Sequence, residues 1–231
     1  MDSNGEPPVP RVSEPVFNAP MPAVALLAAI VVIHLVRELL PLETDAELIN
    51  YFALQPHVFY QAPFDPLQVA AQLIGHMFLH ASFAHLIVNA LWLLAFGAPV
   101  ARRLGSARFF LFFLLGGFAG AAAHVVVHWS DDIGILGASG AIAALMGGAF
   151  RFALTPPLFP GQRRPLLPIF HPRVVLLSAI WVGVNVVIGL VGLGFMEAGA
   201  GIAWEAHLGG YFFGLVFFGL FDAPAADVNR P

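Results

Sequence analysis

The chain has 231 residues, of which 59% are hydrophobic and only 10% are charged, with a formal net charge of −4. An ordinary soluble domain carries roughly 25% charged residues, so this composition predicts a membrane protein. The negative net charge argues against a nucleic-acid partner. Because cysteine is absent, disulfides and thiolate metal sites are excluded.

The ends of the chain differ from its centre. Residues 1–20 are polar, rich in proline and without periodicity, so we expect a disordered cytoplasmic tail. They lack the basic start of a signal peptide. Residues 21–222 are then the membrane domain, and residues 223–231 a short cytoplasmic C-terminal tail.

Six apolar stretches approach the roughly 20 residues that a membrane-spanning helix needs. Backbone groups cannot stay unpaired in lipid, so we expect each stretch to be helical. The sequence therefore predicts an all-α membrane protein with six transmembrane helices. The stretches are 21–40, 83–100, 109–127, 133–154, 174–195 and 202–221.

The arginines predict the orientation. They lie in the tails and in alternate loops, and only Arg37 sits at the outer end of a helix. The positive-inside rule then puts both termini in the cytoplasm and leaves outer loops at 41–82, 128–132 and 196–201. The long first loop is expected to lie partly in the membrane interface. Abundant arginine and alanine without lysine favour a bacterial plasma (inner) membrane.

A serine lies between glycines in GILGASGAI, residues 134–142. This places Ser139 near the outer end of the fourth helix. Gly137 and Gly140 permit a tight turn and a close approach of the backbone. The first amides of the helix are free donors at the positive end of its dipole, so Ser139 has an oxyanion site beside it.

The sixth helix offers a base. In AHLGGYFFGL, His207, Gly210 and Gly214 share one face. The fourth helix also has a face of small residues, and two such faces let helices approach closely in lipid. If these faces meet, Ser139 and His207 form a serine–histidine pair. The alternative is glycine packing with an incidental histidine.

The second helix and the residues before it, HMFLHASFAHLIVN, contain His76, His80, His85 and Asn89. His85 and Asn89 are one turn apart and offer two donors to one spot, which suits a developing oxyanion. The alternative is interhelical hydrogen bonding, and for His76 and His80 we favour a structural role. Together with His85 they could also line a wetted cavity at the outer face.

The motifs HLIVN, GASG and AHLGG, on the second, fourth and sixth helices, resemble those of the rhomboid family of intramembrane serine proteases. This resemblance implies Ser139 as nucleophile and His207 as general base. His85, Asn89 and the Ser139 amide would form the oxyanion hole. It also implies transmembrane protein substrates and chemistry without metal or cofactor.

Three positions depart from the family's pattern. Ala143 stands where rhomboids often have a tyrosine that stacks on the catalytic histidine. Ala71 and Gln72 replace a common Trp-Arg pair of the first loop, and Ala101 replaces a glutamate often found after the second helix. These changes bear on the orientation of His207 and on the anchoring of the loop.

The fifth helix is the expected gate for substrate, because it ends in the glycine-rich residues 189–201, where Phe195 and Met196 would cap the site.

Two other functions stay open. An inactive rhomboid-like protein would bind membrane clients without cleaving them, although it would need neither Ser139 nor His207.

A metal transporter or metalloprotease could instead use His76 with His80, or His124 with His128, each pair one turn apart. HExxH is absent from the sequence, and no carboxylate is expected inside a helix to complete such a site.

Overall fold

The structure is a computed structural model that describes residues 19–130, 133–156, 163–191 and 203–222. Within these ranges it is helical, apart from turns, extended segments and one isolated β-bridge, which confirms the predicted all-α membrane fold. The helices are α1 (Met21–Arg37), α2 (Leu42–Phe52), α3 (Pro66–Gly75), α4 (Phe83–Leu104), α5 (Ser106–Val127), α6 (Ser139–Phe150), α7 (Pro172–Val191) and α8 (Trp204–Phe221).

Each of the six predicted apolar stretches overlaps one of these helices, namely α1, α4, α5, α6, α7 and α8. Among the described residues, α4, α5 and α7 are long and apolar enough to cross a membrane. The helices α1 and α6 are apolar but shorter. The additional helices α2 and α3 belong to the long first loop.

The prediction of a continuous fourth helix over 133–154 was wrong, because α6 begins only at Ser139. Before it, Ile135 exchanges two backbone hydrogen bonds with Leu54 of the first loop, each 2.9 Å long. Backbone polar groups need a partner at membrane depth, and here the folded loop supplies one. Residues Gly140 to Phe150 are buried, so α6 is enclosed by protein and does not have to span lipid.

Close helix contacts surround α6. A Cβ atom built on Gly210 of α8 would overlap the carbonyl of Gly140, and one on Gly214 would overlap the carbonyl of Ala144. A Cβ atom on Gly116 of α5 would overlap the Ala144 side chain. The small-residue faces of α6 and α8 therefore meet as predicted, with backbone against backbone.

The first loop is anchored by polar contacts. The Arg37 guanidinium donates to both carboxylate oxygens of Asp45, at 2.7 and 3.0 Å, and to the His80 carbonyl at 2.8 Å. Gln72, where the family often has arginine, is fully buried and accepts a hydrogen bond of 3.0 Å from the Gln55 amide. The loop is thus held to the end of α1 and to itself despite the departure from the family's pattern.

The opposite end of the bundle carries a second anchor. Arg103 donates to both carboxylate oxygens of Asp222, at 2.8 and 2.7 Å, which ties the end of α4 to the residue after α8. Ala101, at the position of the family's glutamate, is buried in the apolar core. A carboxylate there would lie in an apolar environment.

Candidate active site

One cavity of about 460 Å³ opens between the helices and collects the predicted catalytic groups. Ser139 of α6 and His207 of α8 both line it. His85 and Asn89 of α4 line the same cavity, and α7 supplies Trp181 and Asn185 among other residues. Side chains from four helices, distant along the chain, therefore face one space.

Ser139 is the first residue of α6 and follows a sharp turn at Gly137. The φ of Gly137 is 126°, a conformation that L side chains rarely adopt. The Gly137 amide donates to the His76 carbonyl at 2.8 Å. A Cβ atom on Gly137 would lie 2.8 Å from Nε2 and Cε1 of His85. Glycine is thus required both for the turn and for the room that the His85 ring takes beside Ser139.

His207 is oriented by Asn185 of α7. Asn185 Nδ2 donates to the Trp181 carbonyl at 3.0 Å, and a carbonyl only accepts, so Oδ1 of the amide faces His207. That oxygen lies 2.9 Å from Nδ1 of His207. Nδ1 therefore carries the hydrogen, and neutral His207 has its lone pair on Nε2, the atom that a general base uses.

Asn185 was not identified from the sequence. It is a single polar residue in the apolar run VGVNVVIGL, and its partner lies on another helix. The available signal was its polarity, because polar side chains inside a membrane-spanning helix usually have a function.

The oxyanion candidates lie one turn apart on α4. The Asn89 side chain is buried, and its Nδ2 donates to the His85 carbonyl at 3.1 Å. An amide nitrogen carries two hydrogens, so one remains to donate toward the cavity. The first-turn amide of Ser139 has no partner within its own helix. The His85 ring, the second N–H of Asn89 and the Ser139 amide are therefore three donor groups that can face the cavity next to Ser139 Oγ.

His76 and His80 are buried in the segment that precedes α4. His76 Nδ1 donates to the Gln72 carbonyl at 2.8 Å, and burial lowers the pKa of His76 to about 4. It lines a second cavity of about 20 Å³, together with Ser139 and Gly140, which has room for about one water molecule.

His80 is completely buried, and its ring meets the His85 ring edge-on at 5.0 Å. Burial lowers the pKa of His80 to about 3. The expectation that His76 and His80 line the large cavity was wrong, because His80 packs under the His85 ring and His76 lines only the small cavity.

An aromatic stack fills the region around Ala143, the position of the family's tyrosine. Ala143 is buried in an apolar cluster that contains Tyr211 and is bordered by Trp181. The Trp181 and Tyr211 rings stack with centroids 4.4 Å apart. The backbone carbonyl of Trp181 also accepts the hydrogen bond from Asn185. The stack therefore supports the Asn185 side chain, which orients His207.

The expectation that no carboxylate lies inside a helix was wrong, because Glu205 is in the first turn of α8. Its Oε1 lies 2.6 Å from Nδ1 of His124 and 3.3 Å from Nε2 of His128. The predicted caps Phe195 and Met196 lie outside the described residues, as does most of the glycine-rich segment.

Comparison with known proteins agrees with this architecture. Residues 68–222 match the family described as the Rhomboid domain. The chain is similar to "Rhomboid protease GlpG" of Serratia proteamaculans, with 30% identity over 148 residues, which cover 62% of this chain and 45% of the relative. It is similar to "Rhomboid protease GlpG" of Klebsiella pneumoniae, with 31% identity over 174 residues, which cover 72% and 55%.

A eukaryotic relative is "Rhomboid protein 1, mitochondrial" of Saccharomyces cerevisiae, which is 29% identical over 185 residues, covering 77% of this chain and 48% of the relative. The chain spans about half the length of the curated relatives it matches. The match to the family covers most of the helical bundle, including α4 to α8. The chain is an integral membrane protein that belongs to the rhomboid family.

Proposed function

We propose that this protein is an intramembrane serine endopeptidase that cleaves transmembrane segments of membrane proteins. Ser139 is the nucleophile and His207 the general base. The observation that carries the proposal is that both side chains line one cavity, while Asn185 binds Nδ1 of His207 and leaves Nε2 available. The names of the bacterial relatives, which are rhomboid proteases, support the same activity.

The reaction has two stages. Nε2 of His207 takes the hydroxyl proton as Ser139 Oγ attacks the substrate carbonyl carbon. The tetrahedral intermediate collapses, the imidazolium gives its proton to the leaving amine, and an acyl-enzyme remains. A water molecule, deprotonated by His207, then attacks the acyl carbon, and Ser139 leaves with the proton. Water and the peptide bond are consumed, and both side chains of the dyad are regenerated.

Asn185 acts as a positioning residue in this scheme. It holds the imidazole in one tautomer through the hydrogen bond at Nδ1. A neutral amide places no negative charge beside the imidazolium. The arrangement therefore corresponds to the Cys-His-Asn set of papain-like proteases more than to a serine triad with aspartate.

The oxyanion is stabilised by the amide of Ser139 and by the side chains of His85 and Asn89. These donors are held before substrate binds, since Gly137 fixes the backbone turn and Asn89 is bonded within its own helix. Donors positioned in advance need no reorganisation during the reaction, which is where such groups contribute most to the rate.

The protein lies in the bacterial plasma membrane, with both termini in the cytoplasm and the active site open to the outer face. The cavity beside Ser139 admits water from that face, which the hydrolysis of the acyl-enzyme requires. The small cavity lined by His76 and Ser139 has room for about one further water molecule.

Substrate enters sideways between α4 and α7. Val88 and Trp92 of α4 and Val184 and Ile188 of α7 all line the cavity. Val174 is the one fully buried residue along α7, whose residues are all described, so this helix can move with less loss of packing than α6. Since the chain has no cysteine, the pair Val88→Cys and Val184→Cys can be joined by a reducible bis-thiol reagent without background.

Joining this pair is expected to abolish cleavage, and reduction to restore it. Each single-cysteine variant treated with the same reagent is the control. Full activity of the joined protein would exclude this route.

The direct test of the activity uses purified protein in liposomes with a fluorescent transmembrane substrate. Ser139→Ala and His207→Ala are expected to lower turnover by about 10⁶-fold, to background, as in other enzymes that use such a pair. Ser106→Ala and His171→Ala, which remove the same groups outside the cavity, serve as matched controls. Cleavage that persists in Ser139→Ala contradicts the proposal, and a wild type that binds substrates without cleaving them identifies a client-binding protein.

A further inference from the structure

A cluster of three side chains that could bind a metal ion lies outside the cavity that contains Ser139. His124 is in the last turn of α5, His128 follows the end of that helix, and Glu205 is in the first turn of α8. One nitrogen of each imidazole and one oxygen of the carboxylate lie within 4.8 Å of one another. None of these residues has a role in the proposed peptide hydrolysis.

The His124 ring is already oriented as in metal sites. Its Nε2 lies 2.8 Å from the Ile133 carbonyl, which can only accept, so Nε2 carries a hydrogen. Nδ1 then faces Glu205 Oε1 at 2.6 Å. In metal proteins a ligating histidine almost always donates its other ring N–H to a carbonyl, a carboxylate or water, which fixes the ring.

The environment of the cluster also favours a cation. The side chains of His124 and Glu205 are 1% and 6% exposed, and a carboxylate in a membrane domain needs a positive partner. The side chain of His128 is 21% exposed, which leaves a side from which an ion and its water can enter. His124 and His128 stand one turn apart with ring centroids separated by 4.6 Å.

We propose that His124, His128 and Glu205 bind a divalent transition-metal ion of the zinc class. Two imidazoles and one carboxylate are a known zinc ligand set, with water at the fourth position. Ligand atoms bound to one zinc ion at about 2.0–2.2 Å lie roughly 3.3 Å apart, so the present separations need only small adjustments. The ion replaces the proton between His124 Nδ1 and Glu205, and that proton is released to solvent.

The site is structural. It joins the end of α5 to the start of α8 two residues before His207, and through Ile133 to the segment that leads to Ser139. Because only the folded chain brings the three ligands together, bound metal stabilises the fold by mass action. The inference does not depend on the protease activity, and Ser139→Ala is expected to bind the ion as the wild type does.

The experiment uses the full chain in detergent, stripped of metal with a chelator and titrated with Zn²⁺. We expect about one ion per chain and a Kd of about 1 μM or lower. The Tm should rise by roughly 5 °C at a hundredfold excess over Kd. Co²⁺ should give the visible absorption of a four-coordinate ion with nitrogen and oxygen ligands.

Variants separate this site from adventitious binding. His128→Gln, at the most exposed ligand, should fold normally and weaken binding by more than about 100-fold, beyond the effect of losing an outer-shell partner. Glu205→Gln should also remove the Zn²⁺-dependent rise in Tm. His171→Gln, which removes a histidine of the loop before α7, should change neither. Absence of binding, or equal binding by His128→Gln and the wild type, would show that the cluster is only an ion pair.

Discussion

The two supports of the candidate active site differ in how firmly they are packed. Ser139 and His207 lie on α6 and α8, whose backbones touch at Gly210 and Gly214. Asn185, which orients the His207 ring, lies on α7, where Val174 is the one fully buried residue. The positions of the two proposed catalytic residues are therefore fixed by the core, whereas the orientation of the proposed base depends on a less buried helix.

This difference links substrate entry to the chemistry. In the proposed mechanism α7 moves to admit substrate between itself and α4. The same movement stretches the hydrogen bond between Asn185 and His207, which is 2.9 Å long when the helix is in place. Proton transfer then requires the return of α7, so the site is competent only after the helix has closed on its substrate.

The largest difference in stability is expected between two glycine-to-alanine substitutions, one on α8 and one on α7. Gly210→Ala forces a Cβ atom into the Gly140 carbonyl, and because backbone yields little, we expect a loss of about 3 kcal/mol of stability, the upper end of the usual cost of overpacking. On α7, a Cβ atom on Gly183 meets nothing within 4 Å. Gly183→Ala should stabilise its helix by about 1 kcal/mol.

Thermal unfolding in detergent measures both variants. The expected result is a large fall in Tm for Gly210→Ala and no fall for Gly183→Ala. Equal Tm values would show that the backbones of α6 and α8 are not in tight contact at Gly210.

The proposed oxyanion donors on α4 act on the developing charge of the substrate. Their loss should therefore lower the rate of the chemical step and leave the packing of the helices intact. Asn89→Ala is expected to lower kcat by about 10²- to 10³-fold, the usual effect of removing one such donor. KM and Tm should change little. Asn50→Ala, an exposed amide on α2, is the matched control. A rise in KM with normal kcat would assign Asn89 to substrate binding instead.

Substitutions at Asn185 should have a smaller effect on the rate. One hydrogen bond contributes about 1–1.5 kcal/mol, and 1.36 kcal/mol is tenfold in rate, so Asn185→Leu should lower kcat roughly tenfold. Asn185→Asp keeps an acceptor for His207 Nδ1 and should recover most of this loss. A merely structural residue would show no such rescue, and the same kcat for both variants would remove Asn185 from the positioning role.

The overall architecture could be predicted from local signals. The length and apolarity of the six stretches predicted the helices, and the small-residue faces predicted that α6 and α8 meet. The start of α6 could not be found in this way. Residues 133–138 are apolar enough for a helix, but Ile135 pairs with Leu54, a contact that is distant in sequence and leaves no periodic pattern.

Two side chains were missed for a related reason. Asn185 and Glu205 each stand alone in an apolar segment, and their meaning comes from partners on other helices. The rule that polar residues in membrane helices are functional applied to both. Glu205 lies inside the predicted stretch 202–221, but its partner His124 is on another helix and could not be inferred from that position. The substitution of Ala143 could be noticed from the sequence, whereas the stack of Trp181 on Tyr211 required the packing of α7 against α8.

The central claim is that His207 activates Ser139, and labelling with a fluorophosphonate probe tests it most directly. The probe reacts with an activated serine hydroxyl without requiring a known substrate. We expect wild-type protein in liposomes to be modified at Ser139, as mapped by mass spectrometry, and His207→Ala to be labelled at background level. Labelling of Ser139 at equal rates in both proteins, or modification of another serine such as Ser178, would contradict the account.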